Sequence, residues 1–217
     1  MDRSHSTAAI ILAAGSSSRM GAGRHKLLLP LAGRPVLTHV LDATLASQAQ
    51  PIIIVLGHLA NEVRAHLASY AGNAAITIVE NPNYLQGMST SIHTGLHTLM
   101  ANEQTFANSL VDSALILLGD QPLITQQIID TLITTHRTTG RCIVAPLYDG
   151  VRGSPVLFDA SLFAELLTIT GDEGGRGVIA RHRQEVATVE MGNPLANYDV
   201  DTWEAYQHIS QVWEDRR

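Results

Sequence analysis

The 217-residue chain is 45% hydrophobic and carries a formal net charge of −6, a length and apolar content that fit one compact domain with a sizeable core. The acidic balance excludes a broad surface for nucleic acid or anionic membranes, which select for basic patches, so any phosphate recognition must be local. The single cysteine, Cys142 in the apolar run CIVAP, excludes an internal disulfide framework and fits a reducing cytoplasm. No apolar run nears the roughly 18 residues that span a bilayer, and MDRSHST lacks the layout of a signal peptide.

Short apolar runs alternate with longer amphipathic ones. Ala8 to Ala14 (AAIILAA) reads as a strand buried on both faces, with residues 1–7 ahead of it as a flexible tail. After a glycine-rich loop, Val36, Leu37, Val40, Leu41 and Leu45 mark one helix face. Pro51 to Leu56 is a second buried strand. Leu59, Val63 and Leu67 then recur every four residues as a helix, and Ala75 to Val79 is a third strand. A helix from near Met88, a strand at Ala114 to Leu118, a helix from Gln126 to His136 and the strand CIVAP follow. The last third breaks the rhythm: strands at Pro155 to Phe158 and Glu185 to Glu190 flank glycine-rich charged loops, and a helix runs from about Trp203 to Trp213. Continuous Val/Ile/Leu strands joined by helix-length segments predict a single three-layer α/β domain, a mostly parallel sheet with helices on both faces. Ligands of such sheets bind beyond the carboxyl ends of the strands, so each loop after a strand is a candidate site.

The loop after the first strand, Gly15-Ser16-Ser17-Ser18-Arg19-Met20-Gly21-Ala22-Gly23-Arg24-His25-Lys26, offers glycines whose backbone N–H groups can converge on an anion, serine donors, and the charges of Arg19 and Lys26. It lacks both the Walker pattern and the three-glycine dinucleotide spacing, leaving phosphate binding or a solvated loop open. Asp120 in Gly119-Asp120-Gln121-Pro122 follows a buried strand and suits Mg²⁺, or else a turn or helix cap. Asp199 and Asp201 precede the last helix, which Asp201 or Thr202 could instead cap. Gly87, Ser89 and Ser91 lie at a helix N-terminus suited to ribose, base or phosphate, or to ordinary capping. His93 and His97, four apart on that helix, lack the neighbours expected of a metal site. Neither G-x-S-x-G nor Ser-x-x-Lys is present, so covalent catalysis has no candidate nucleophile.

LAAGSSSRMG, KLLLPLAGRPVL, NPNYLQGMSTSIHTGL, GDQPLIT, RGSPVLF, GDEGGRGVI and YDVDT occur in the order seen in the MobA-like nucleotidyltransferases, which this chain resembles from about Ala8 to Trp203. The resemblance is closest to the molybdenum cofactor cytidylyltransferase (MocA) branch. It implies a nucleotide-diphospho-sugar transferase-like fold and transfer of a nucleotidyl group, CMP from CTP, to the terminal phosphate of molybdopterin, with release of pyrophosphate. It implies that Leu12, Ala13, Ala14, Gly15, Ser16, Ser18, Gly87, Ser89 and Ser91 contact the nucleotide and that Arg19 and Lys26 hold the triphosphate. Asp120 and Asp201 would then hold Mg²⁺, with Asp199 as a weaker candidate, and Gly153, Ser154, Pro155 and Arg176 would face the acceptor. Arg19, Lys26 and Asp120 would be the catalytic set.

The acceptor phosphate is already a nucleophile in such a reaction, which accounts for the missing nucleophile motif: placement and charge neutralisation supply most of the acceleration. The family pattern L-A-G-G, typical of guanylyl transfer, is here Leu12-Ala13-Ala14-Gly15, and the Ala14 methyl would crowd a purine. Two departures stand out. Arg24 and His25 lengthen the usual R-M-G-x-x-K before Lys26, and Gly153-Ser154-Pro155 replaces a common G-H-P. Alternatives are GTP as donor, a sugar or polyol phosphate as acceptor, or a non-catalytic nucleotide- or pterin-binding accessory that contacts a molybdenum enzyme or its chaperone.

Overall fold

The computed structural model of the chain describes residues 4–21, 24–101 and 109–215. In chain order come β1 (Ser4–Ala13), the two-residue strands β2 (Pro30–Leu31) and β3 (Arg34–Pro35), α1 (Val36–Ala46), β4 (Ile52–Leu56), α2 (Ala60–His66), β5 (Ile76–Glu80) and α3 (Met88–Ala101). Then follow β6 (Ser109–Leu118), α4 (Gln126–Thr139), β7 (Ile143–Tyr148), β8 (Val151–Arg152), β9 (Val156–Asp159), α5 (Phe163–Leu166), α6 (Arg176–Arg181), β10 (Val186–Glu190) and α7 (Trp203–Asp215). The main sheet has the order β10-β7-β9-β6-β1-β4-β5, with β8 paired to β7. The pairs β1–β4, β1–β6, β4–β5 and β7–β10 are parallel, and β9 runs antiparallel between β6 and β7.

The period-2 geometry of β1 builds two cores at once. Ala9, Ile11 and Ala13 face Leu37 and Val40 of α1, Val63 of α2 and Ile129 and Leu132 of α4. Ala8, Ile10 and Leu12 face Ile92 and Leu96 of α3, Phe163 and Leu166 of α5 and Val178 of α6. Burying an Ile such as Ile10 this completely contributes about 1.5–3 kcal/mol, which is why a run without polar alternation sits at the sheet's centre. Gly95 lets α3 lie close on the sheet, since a Cβ there would stand 2.4 Å from Ile10 Cγ2. A third cluster, Met20, Leu31, Val36, Leu123, Val200 and Ile209, docks α7 against the loop that follows β1.

Three expectations need correction. β1 begins at Ser4, so residues 4–7 pair with β6 rather than forming a tail; the polarity of Thr7 does not break the strand because its Oγ1 bonds Ser113 Oγ at 2.8 Å across the pair. Leu59 is not on the buried face of α2. It stands before the helix in a left-handed conformation, φ 51°, and is 41% exposed. The last third also holds the short helices α5 and α6, whose glycine-rich approaches carry little periodic signal. Among the described residues no helix is long and apolar enough to cross a membrane.

Candidate active site

From β1 the chain proceeds to β4 on one side and later returns to β6 on the other, so the order reverses at β1, where open α/β sheets bind ligands. Leu12 of β1 is level with Leu118 of β6, and Gly119 N donates to Leu12 O at 2.9 Å, holding the two strand ends together. Beyond them opens a cleft of ≈540 Å³. Leu12, Ala13, Ala14, Gly15, Ser16, Ser18, Arg19, Lys26, Gly87, Ser91, Asp120 and Asp201 all line it, as do Asp172 and Asp199.

Lys26 is the hub. Its Nζ donates to Asp120 Oδ2 and, at 2.5 Å, to Asp201 Oδ1. The Lys26 and Asp120 side chains are 14% and 11% exposed, so this pair is well shielded from solvent. Arg19 Nη2 lies 2.8 Å from Asp201 Oδ2, but at 69% exposure that contact is largely solvent-screened and worth little to stability. Burial alone would lower the Lys26 pKa; the carboxylates of Asp120 and Asp201 outweigh it and raise it, keeping the ammonium charged. Burial, reinforced by the charge of Asp120, pushes the Asp199 carboxyl up to about 6, against a 2.6 Å hydrogen bond from Gln121 Nε2.

Local chemistry explains why these carboxylates are free to meet. Asp120 leaves helix capping to Thr125, whose Oγ1 accepts from Ile128 N, and Thr202 Oγ1 accepts from Ala205 N at the start of α7. Asp201 is thereby released toward Lys26, and Val200 N donates to Asp120 O at 2.9 Å, stitching the two acidic segments together. Lys26 is fixed from behind as well: Ser17, left-handed at φ 55°, accepts from Lys26 N at 3.1 Å.

The far wall is the start of α3. Neither Ser89 nor Ser91 caps it: Met88 N donates to Asp172 Oδ1 at 2.9 Å and Ser89 N to Gly171 O at 3.0 Å. Ser89 is buried and does not line the cleft, whereas Ser91 Oγ accepts from Asn81 Nδ2 at 3.0 Å and does. Gly87, at φ +111°, is required here because a Cβ would fall 2.4 Å from the Gly171 carbonyl carbon. Asp172 is the site residue that sequence reasoning missed; its signal was the Gly171-Asp172 pair opening a glycine-rich loop.

The residues expected to face the acceptor do not line this cleft. Ser154 N donates to Asn197 Oδ1 at 3.2 Å and Tyr148 Oη donates to Ser154 O at 2.9 Å, so Gly153, Ser154 and Pro155 brace the segment leading to Asp199 and do not line the cleft. Arg176 lines an adjoining shallow depression with Asp172, Glu173 and Gly177. His97 is exposed, and among the described residues no cluster of three or more His, Cys, Asp or Glu forms a metal cage.

Two carboxylates closing on one ammonium make a point-cation site of hard oxygen donors, the donor type that Mg²⁺ prefers. Four aspartates, Asp120, Asp172, Asp199 and Asp201, line the cleft with only two cations, Arg19 and Lys26. A bare triphosphate would be repelled by this net negative lining, and one divalent cation would offset the two uncompensated carboxylate charges. The residues therefore fit the metal.

A switch-point cleft with a glycine-serine loop, two cations and paired carboxylates fits the nucleotidyltransferase class. The chain belongs to the family of the MobA-like NTP transferase domain, whose model matches residues 9–186. A bifunctional GlmU protein of Syntrophotalea carbinolica is 35% identical over 134 residues, covering 61% of this chain and 26% of that protein, so the chain spans about a quarter of that relative. Among solved structures, a homologue of Mycobacterium tuberculosis Rv0371c from Mycobacterium sp. strain JC1 superposes with TM-score 0.80 at 26% identity, over 97% of this chain and 98% of that one. A nucleotidyl transferase from Methanothermobacter shares the fold with TM-score 0.79 at 20% identity over the full length of both chains.

Proposed function

We propose that the protein transfers CMP from CTP to the terminal phosphate of a molybdopterin-type cofactor, dependent on Mg²⁺, as the MocA branch does. The observation that carries the transfer reading is the Lys26–Asp120–Asp201 arrangement beside the β1 loop. An acceptor phosphate oxygen attacks the α-phosphorus as the bond from that phosphorus to the bridging oxygen of the β-phosphate breaks, and pyrophosphate leaves with the bonding electrons. Mg²⁺, held by Asp120 and Asp201, supplies neutralisation of the phosphates when bound. Lys26, released from its carboxylates, and Arg19 reach the β- and γ-phosphate oxygens, where growing negative charge is stabilised. The strand end Leu12–Gly15 and the Gly87–Ser91 segment bracket base and ribose.

For the base, Ala14 supports CTP: it lines the cleft at the end of β1, where a methyl in place of the glycine of the guanylyl-transferring pattern leaves less room for a purine. For the acceptor, Leu85 at 78% and Met88 at 37% exposure line the cleft beside Tyr84 and offer apolar surface suited to a heterocycle. A second reading, a sugar phosphate acceptor, is favoured by the polar depression of Asp172, Glu173 and Arg176 adjoining the cleft.

The test is a thermal-shift panel of CTP, GTP, UTP and ATP with and without Mg²⁺, followed by pyrophosphate release with molybdopterin and with sugar phosphates. Saturation at about a hundred times Kd adds about 2.7 kcal/mol to stability. Failure of every nucleotide to raise the melting temperature refutes the transferase reading, a response confined to GTP refutes the base, and release confined to sugar phosphates refutes the acceptor. Asp120→Ala should abolish release while the protein stays folded.

A further inference from the structure

The two extra residues before Lys26 are not slack. On the Arg19 side the loop is anchored by Met20, 2% exposed in the cluster that holds Val200 and Ile209. The Lys26 side has an anchor of its own. Arg24 lies over the Trp203 ring, Cζ 4.1 Å from its centroid. His25, 7% exposed, stacks on His58 with centroids 5.5 Å apart and planes 6° apart, its Nε2 3.2 Å from His58 O. His58 N in turn donates to Ala14 O at 3.1 Å, and Leu28 N donates to His25 O at 2.9 Å. The segment is thus tied to the strand end that lines the cleft.

Arg19 and Lys26 are both held by Asp201, a carboxylate that a divalent cation would claim. The contacts of Arg24 and His25 involve no carboxylate, so they persist when the cation arrives. The geometry points to Arg24 and His25 as positioning residues that keep Lys26 aimed into the cleft once Asp120 and Asp201 turn to a metal. This rests on the nucleotidyl-transfer reading. The ring of Trp203, at the first turn of α7, is the anvil for Arg24, and a cation over an aromatic face at an exposed site gives a modest attraction.

The experiment measures the Kd of MgCTP by calorimetry for the wild type, Arg24→Ala, Arg24→Lys, Trp203→Phe, Lys26→Met and the Arg24→Ala/Lys26→Met double variant, with a melt of each apo protein. Arg24→Ala should raise Kd about two- to fivefold with little change in melting temperature. Arg24→Lys and Trp203→Phe should retain much of the affinity because charge and π-face remain. In the Lys26→Met background Arg24→Ala should have no further effect. An undiminished effect there would mean that Arg24 meets phosphate itself, and an unchanged Kd in Arg24→Ala would mean that it positions nothing; either overturns the proposal. If the wild type binds no nucleotide, the transferase reading falls instead, and the ε-carbon NMR signal of Lys26 under saturating Mg²⁺ decides the positioning role. It should move on Arg24→Ala, and a signal that stays put sinks the proposal.

Discussion

Lys26→Met keeps the apolar stem of the hub residue and deletes its charge. Asp120 and Asp201, 11% and 24% exposed, would then confront one another and Asp199 across the cleft, with the 69%-exposed Arg19 still beside Asp201. Removing one partner of a buried ion pair costs about 3–5 kcal/mol. The open cleft and the surviving Arg19 contact place this case at the low end, about 3 kcal/mol, which in a domain of this size lowers Tm by about 6–12 °C. The melts are run in EDTA and again in Mg²⁺. The added cation takes the ammonium's place, so the deficit should shrink by up to about 2.7 kcal/mol at a hundred times Kd, while the wild type gains less because Mg²⁺ must first displace Lys26. Equal stability of the two proteins in EDTA, or a larger Mg²⁺ gain in the wild type, would refute this account of the site.

Asp172→Ala removes the cap on Met88 N and should cost about 1 kcal/mol, seen as a Tm lowered by about 2–4 °C, with Asp172→Asn retaining much of it; an unchanged Tm would show that α3 does not depend on this distant cap. Gly87→Ala combines a φ of +111° with a clash against Gly171, so it should lower Tm and weaken nucleotide binding together, and normal behaviour in both assays would contradict the close approach. Burial lowers the His25 pKa below its ordinary 6.5. The folded state then favours neutral His25, so this contribution is complete above about pH 6.5 and is lost as pH falls through the window below it. His25→Phe should flatten that slope in melts taken between about pH 7.5 and pH 5.5, and a slope left intact would assign it to other groups.

The alternation of strands and helices was legible because a parallel sheet buried on both faces writes continuous apolar runs, as in Ile52–Leu56. The cleft's cations and carboxylates were legible from motif order, each beside a strand end or helix start. Asp172 was not: the Gly171-Asp172 pair marks a loop, but nothing local to it says that its carboxylate caps a helix 84 positions away. The first residues of β1 were masked by their polarity, which a cross-strand Thr7–Ser113 bond makes tolerable. Gly153, Ser154 and Pro155 were assigned to the acceptor by motif alone; in the structure Ser154 N donates to Asn197 Oδ1, and the three stand outside the cleft lining.

The family match ends at residue 186, yet Asp199, Asp201 and Trp203 lie beyond it and complete the site begun by Arg19 and Lys26. During synthesis the sheet can form while Lys26 still lacks Asp201. A nascent chain arrested before residue 199 would have a nearly finished scaffold while Arg19 and Lys26 still lack their shared carboxylate, so the charged cluster closes only as the last segment arrives. A fragment trimmed to the matched residues would lose most of β10 and, with Val200 and Ile209, part of the third core cluster, along with the carboxylate that Arg19 and Lys26 share.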